Sequence, residues 1–381
     1  MAYENMKIDI QEIHTTNGAK ITAVGVGGGG SNMIAHLIAT GTHKDIILAA
    51  ANTDIQHLET SPAQIKIKLG EKLTKGLGAG MLPEIGMQAA QESFEHIKEV
   101  LSNSDIVFIS AGLGGGTGTG AAPIIAQAAK EVGALTISIV TKPFKMEGKK
   151  RAKIAEEGLK ELKKTSDTIV VIPNEKLLSI VSKNAGIKES FKEVDSILAR
   201  AVNGISGVIL NHGENDINVD FADLKTVMDH KGLALMGTGE SSGESSALEA
   251  VKNAIESPLF DNLSINGAMG VLVNFEINPN YPLLEISDAM GLIEEAANED
   301  ANIIFGTRTI ADLPLDQVRV TIIATGFEKE IMDSHPKEEN HFEPSYSMSK
   351  ISIDAMRIAS SGEDFRQSEL DIPTIMRNQK D

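Results

Sequence analysis

From Lys20 onward, short apolar runs alternate with stretches whose apolar residues recur every three or four positions. The runs are KITAVGV from Lys20, DIILAAAN from Asp45, IKIKLG from Ile65, DIVFISAG from Asp105, LTISIV from Leu135 and TIVVIP from Thr168. Near-continuous apolar strands are what a parallel sheet needs when helices cover both of its faces. Intervening stretches such as MIAHLIATG and PIIAQAAKEVG supply the crossover helices. The alternation predicts an α/β fold with a doubly wound, mostly parallel sheet over 20–186, after an N-terminal extension over 1–19.

A long amphipathic segment follows. Ile187, Phe191, Val194, Leu198, Ala201, Ile205 and Ile209 step by three or four and share one face. A helix of this length spans about 35 Å, enough to cross a domain, so 187–212 is read as a central helix joining two domains. Over 213–327 the rhythm changes. A helix around Phe221–His230 precedes strands at GVLVNFEI, ANIIFGTRT and QVRVTIIATGF, with a helix near Leu283–Asn298 between the first two. The close succession of the last two strands permits an antiparallel pair, which leads to the expectation of a smaller α+β domain with a mixed sheet. Polar, charged sequence over 328–367 reads as a flexible linker, and apolar character returns over 368–381.

Ligands of such sheets sit beyond the carboxyl ends of the strands. Four of these ends run into unusual loops: VGVGGGGSN, AANTD, SAGLGGGTGTG and VTKPF. Gly25, Gly27 and Gly30 satisfy G-x-G-x-x-G, with Asp54 near the spacing of a ribose-binding carboxylate. That match alone fits a nicotinamide or flavin site, or simply tight strand-to-helix packing. The second loop, Leu113 to Gly120, carries five glycines within 114–120 and opens a helix. Unobstructed amides at the positive end of a helix hold anionic phosphates, and Thr117 and Thr119 add hydroxyls. No G-x-x-x-x-G-K-[ST] is present. One pyrophosphate needs one such loop; two on one sheet suit a nucleoside triphosphate.

Composition narrows the compartment and the partners. The 381 residues include no Cys, which argues against a disulfide framework and for an intracellular protein. The N-terminus lacks a signal pattern and no run approaches a membrane span, so the chain reads as cytoplasmic, without direct membrane insertion. A net charge of −18 would repel a phosphate backbone, so no nucleic acid is expected as a partner.

Further pairs of residues admit two readings. Glu147 and Arg151, four apart at a helix start, would form a surface ion pair or share a ligand-facing side. Phe191 fits the apolar stripe of the central helix, with Asp195 one turn on. Asp220 and Asp223, in NVDFAD, suit a helix N-cap and first turn. The terminal LDIPTIMR places large apolar residues on an otherwise polar tail.

Taken in order, GVGGGGSN, NTD, GLGAG, GGGTGTG, TKPF-x-x-EGKKR, NVDFADLK and LDIPTIMR resemble the tubulin/FtsZ family of GTPases. The resemblance runs from about Lys20 to Phe327 and resumes at the terminal peptide. It implies a GTPase that polymerises head-to-tail into the filaments of the bacterial division ring, on the inner face of the cytoplasmic membrane at midcell. It implies GTP and GDP as ligands, with Mg²⁺ bound mainly through phosphates and water and no confident metal ligands among the side chains. The phosphates would lie against Gly28, Gly29, Gly30, Ser31 and Asn32, and against Gly114, Gly115, Gly116, Thr117 and Gly118. Asn52, Asp54, Gly80 and Pro143 would complete the GTP-binding wall, with Glu147 on the ribose and Arg151 on a phosphate. Phe191 would stack on guanine and Asp195 bond its edge. Asn218, Asp220 and Asp223 would act catalytically on the nucleotide of the next subunit. Leu370, Asp371, Ile372, Pro373, Ile375 and Met376 would dock on membrane-tethering partners such as FtsA, alongside other division-ring regulators.

Overall fold

The computed structural model describes residues 18–178, 186–210, 217, 219–228, 232–260 and 265–327, without side-chain detail at position 187. Asn218, the linker and the terminal peptide lie outside the described residues.

Six parallel strands form the first half of the fold: β1 (Ile21–Val26), β2 (Ile46–Asn52), β3 (Ile65–Lys68), β4 (Ile106–Gly112), β5 (Leu135–Lys142) and β6 (Thr168–Pro173). Their order is β3-β2-β1-β4-β5-β6. Each strand predicted there forms within a residue or two of its expected bounds. The reason for their unbroken apolar character is visible in the packing. Ile21 and Ala23 of β1, with Ile106 and Phe108 of β4, face one core, whereas Val24, Val26, Val107 and Ile109 face another on the opposite side. Alternate residues point to opposite faces, and here both faces are dry.

The helices between them are α1 (Gly27–Thr40), α2 (Ile55–Thr60), α3 (Glu71–Thr74), α4 (Pro83–Glu92), α5 (Phe94–Leu101), α6 (Thr117–Glu131) and α7 (Lys149–Thr165), and α8 (Asn174–Leu177) follows β6. The central helix α9 runs from Ile187 to Leu210, as the spacing predicts. Val194, Leu198, Ala201, Ile205 and Ile209 are buried, but Phe191 is 44% exposed and is not a core residue.

The second half contains α10 (Phe221–Met228), β7 (Gly232–Ser242), α11 (Ser246–Ile255), β8 (Gly270–Ile277), α12 (Leu283–Ala296), β9 (Asn302–Thr309) and β10 (Gln317–Thr325). Its sheet is mixed, but the antiparallel pairing permitted to the last two strands does not form. β9 pairs with β8 in parallel, across the α12 crossover, while β10 lies antiparallel between β7 and β8. The α12 crossover brings β9 back parallel to β8 at the sheet edge, and β10 takes the place on the other side of β8. β7 was not legible as a strand because Gly237 and Gly239 weaken the pattern. Those glycines are needed: a Cβ on Gly239 would fall 1.9 Å from the Ala250 carbonyl oxygen of α11. β7 also pairs in parallel with β6 over three residues, joining the two halves into one ten-stranded order.

Candidate functional site

Parallel order 3-2-1-4-5-6 reverses direction between β1 and β4, and a crevice opens beyond the carboxyl ends of strands at such a switch point. The two glycine loops leave these two adjacent strands. Around them lies a cavity of about 460 Å³ lined by both loops, the ends of β4 and β5, the start of α7 and one side of α9.

Local backbone chemistry accounts for the character of this wall. Gly27 turns the chain with φ of +69°, a conformation L side chains avoid, and α1 begins at once. Neither α1 nor α6 has a side-chain cap hydrogen bond, and neither carries an acidic residue in its first turn. Helix starts normally recruit Ser, Thr, Asp or Asn to satisfy their free amides. Two uncapped, adjacent N-termini therefore present donors and positive dipole ends to an external anion.

Of the residues expected to bind nucleotide, Gly28, Gly29, Asn32, Gly115, Gly116, Thr117, Gly118, Pro143, Glu147, Arg151, Phe191 and Asp195 line the cavity together. Gly30, Ser31, Asn52, Asp54, Gly80 and Gly114 do not line it. Gly30 is a packing residue, since a Cβ there would lie 2.2 Å from the Ser110 carbonyl oxygen. Ser31 and Asn52 are buried, the Asn52 amide oxygen accepting from the Asp54 N–H at 3.2 Å. Asp54 caps α2, accepting from the Gln56 and His57 amides at 2.9 and 3.2 Å. Gly80 lies in the exposed turn after α3, and the Gly114 N–H is spent on the Thr119 hydroxyl at 2.9 Å. Thr119 is thus withdrawn into the structure, while Thr117 keeps its place in the wall, its hydroxyl 2.7 Å from that of Thr53.

Glu147 and Arg151 combine the ion pair of one reading with a shared side facing the cavity. They form an i,i+4 ion pair and both face the cavity. Glu147 also accepts the Phe144 N–H at 2.9 Å. At the far end, burial pushes the Asp195 carboxyl up to about 6. Sequence reasoning missed Gly112, Leu113, Thr141, Asn174, Val194 and Leu198 in the lining. Val194 and Leu198 follow from Phe191 and Asp195 by helical spacing. Asn174 directly follows β6, so the strand-end rule that pointed to the other loops would have found it. Its amide oxygen is buried without a partner, as a group awaiting a ligand's donor would be.

Asp220 and Asp223 are exposed and stand outside the cavity of their own chain. Asp220 immediately precedes α10, and its carbonyl accepts from the Asp223 and Leu224 amides at 3.1 Å each. A larger cleft of about 720 Å³ lies between α9 and the second sheet. Its arginines are committed, Arg200 to Glu193, Arg308 to Glu276 and Arg319 to Glu240, at 3.2 to 3.4 Å. It suits a triphosphate less well than the cavity at the uncapped helices.

Two family models match the chain: the Tubulin/FtsZ family GTPase domain over 20–182 and the FtsZ family C-terminal domain over 232–328. The cell division protein FtsZ of two Helicobacter pylori strains is 52% identical over 367 residues, covering 96% of this chain and 93% of each relative. Among solved structures, an empty FtsZ dimer from M. jannaschii matches with a TM-score of 0.78 and 46% identity, over 83% of this chain and 90% of that one. The GTPγS-bound protofilament of CetZ2 from Haloferax volcanii shares the fold, with a TM-score of 0.68, 20% identity, and coverage of 82% and 96%.

Proposed function

The chain belongs to the tubulin/FtsZ family of GTPases, and from that premise we propose how its own residues divide the work of binding and hydrolysing GTP. It is a tubulin-like, filament-forming GTPase of cell division that binds guanine nucleotide and associates with itself. The finer reading concerns which residues act, and where.

The triphosphate rests on the open amides of Gly28, Gly29 and Gly115–Gly118, with Asn32 and Thr117 beside them and Arg151 adding positive charge. Glu147 takes the ribose hydroxyls. Phe191 stacks on the base, while Asp195 accepts from the guanine N1–H and N2–H donors. The unpartnered Asn174 oxygen accepts a further donor at the base end. Adenine offers no N1–H and N2–H pair, which accounts for guanine selectivity. A Mg²⁺ ion would be held mainly through the nucleotide's phosphates and water rather than by side chains, and would supply neutralisation of the charge that builds up during transfer.

Hydrolysis needs one group more. Among the described residues, the lining contains two carboxylates, Glu147 and Asp195. The first is paired with Arg151 and the second lies on the α9 side of the cavity, so neither is free to orient water at the phosphates. The observation that carries the reading is that Asp220 and Asp223 are exposed, clear of their own cavity and available to a second copy. In a head-to-tail filament they polarise the attacking water over the neighbour's nucleotide, with Asn218 helping to position it. The proposed organisation follows: a nucleotide domain over 20–186, the central helix over 187–212, the loop-bearing domain over 213–327, a linker over 328–367 and a docking peptide over 368–381. That peptide, through Leu370, Asp371, Ile372, Pro373, Ile375 and Met376, meets membrane-tethering proteins such as FtsA at midcell.

Mixing two inactive variants tests the shared site. Arg151→Ala damages the cavity and Asp223→Ala the donated loop; neither alone should turn over GTP. An equimolar mixture that co-sediments regains intact pairings at about one interface in four, given random head-to-tail assembly. Co-assembly without recovered turnover would show that each chain works alone.

A further inference from the structure

Phe144 sits at the end of the TKPF loop and lines no part of the cavity, yet two of its walls lean on it. Its ring is buried, 3% exposed, and meets the Phe191 ring edge-to-face, with centroids 5.6 Å apart and planes at 89°. Its backbone N–H donates to Glu147 at 2.9 Å, and its carbonyl accepts the Glu147 N–H at 3.0 Å. Glu147 in turn holds Arg151.

Phe191 needs such a hold. It lies one turn into α9, 44% exposed, where an aromatic side chain is free to change rotamer. In a T-shaped pair Phe144 covers at most one face of the Phe191 ring, so a face remains for a flat ligand. Buried and fixed, Phe144 restricts the partner ring to orientations that keep this contact, which is how a binding group is preorganised.

We infer that Phe144 is a positioning residue for guanine recognition: its ring sets the Phe191 stacking platform, and its backbone sets the ribose carboxylate of Glu147 in the same frame. The inference rests on the assignment of Phe191 to the base. Base and ribose subsites are thereby held in fixed relation by one residue that itself lies outside the cavity lining.

The test is calorimetric titration of GDP, without Mg²⁺ and below the assembly concentration, into Phe144→Leu, Phe144→Met, Phe191→Leu and the Phe144→Leu/Phe191→Leu double variant. Methionine, about equal to leucine in volume but unbranched and adaptable, settles differently into the vacated space and so guards against loss of fold. Inorganic triphosphate, which lacks base and ribose, is titrated alongside. Both Phe144 variants should weaken GDP binding roughly two- to tenfold, the range an aromatic edge-to-face pair is worth. The double variant should be no weaker than Phe191→Leu alone, and triphosphate affinity should hold. If Phe191→Leu binds GDP as wild type does, the base assignment fails and the inference falls with it. If Phe191→Leu weakens binding but the Phe144 variants do not, or the two losses multiply, the inference alone is overturned. Equal losses for GDP and triphosphate would overturn it too, by showing a general collapse of the cavity.

Discussion

The role proposed for Asp195 links guanine recognition to pH, and the size of that link follows from its surroundings. Burial raises its carboxyl from 3.8 to about 6. A carboxylate accepts from the N1–H and N2–H of guanine, whereas its protonated form gives up acceptor capacity and introduces a competing donor. An acid titrating near 6 is almost fully ionised at pH 7.5 and about nine-tenths protonated at pH 5. If only the ionised form binds well, GDP affinity should fall about tenfold over that interval. In the nucleotide-free protein the sign is reversed. The folded chain holds this proton to a higher pH than the unfolded chain, so between about pH 4 and 6 stability falls as pH rises. Nucleotide binding should offset this loss.

The assay is calorimetric titration of GDP at several pH values, for wild type and Asp195→Asn. The terminal phosphate of GDP also titrates in this range, but it does so equally for both proteins, and no His among the described residues lines the cavity. The difference between the two profiles therefore isolates Asp195. Wild type should lose about ten times more affinity than the variant between pH 7.5 and 5. Parallel profiles would refute the placement of Asp195 against the base edge.

Two further outcomes test the packing that carries the site. Gly120→Ala puts a Cβ 1.9 Å from the Pro83 carbonyl oxygen, where α6 crosses α4; backbone must move, and the loss in urea denaturation should be about 3 kcal/mol or more, so an unchanged midpoint would refute the contact. Ile205→Ala hollows α9 within a core that also takes in Phe108 of the first half and Leu272 and Ile323 of the second. It should cost about 2–5 kcal/mol and shift unfolding of both halves together, whereas two separated transitions would show that the core is not shared.

The parallel half was legible because its strands are dry on both sides, so every residue reports burial and the runs stand out. α9 was legible for a different reason: its buried stripe is long and uninterrupted. β7 and the position of β10 were hidden. Gly237 and Gly239 serve the approach of α11, a contact remote in sequence, and strand order depends on crossovers that local pattern does not encode. The same distinction separates the glycines of the site. Gly28 and Gly30 look alike in sequence, yet one faces open space and the other lies against Ser110. Asp54 shows the limit from another side. Its spacing from the first glycine loop suited a ribose ligand, but a local helix cap took the carboxylate. Spacing identifies which groups come near a ligand; only packing decides which are still free to meet it.

That principle of uncommitted groups also explains why a filament is a sensible setting for this chemistry. A single chain that carried phosphate donors and an exposed carboxylate pair in one cavity would suffer repulsion between those carboxylates and the triphosphate during binding. Here the phosphate wall consists of neutral amides, hydroxyls and one arginine, and the acidic pair stands on another surface. The repulsion then arises only when a second copy arrives, where contacts along the rest of the interface offset it. Under the proposed division of labour, binding thus stays favourable in the free chain, and the water-orienting charge is delivered with assembly. A net charge of −18 reinforces the arrangement, because nucleotide capture must rely on local donors against an adverse overall field. The uncapped starts of α1 and α6 supply those donors, and their freedom from acidic residues in the first turn is the feature that lets so acidic a chain hold GTP.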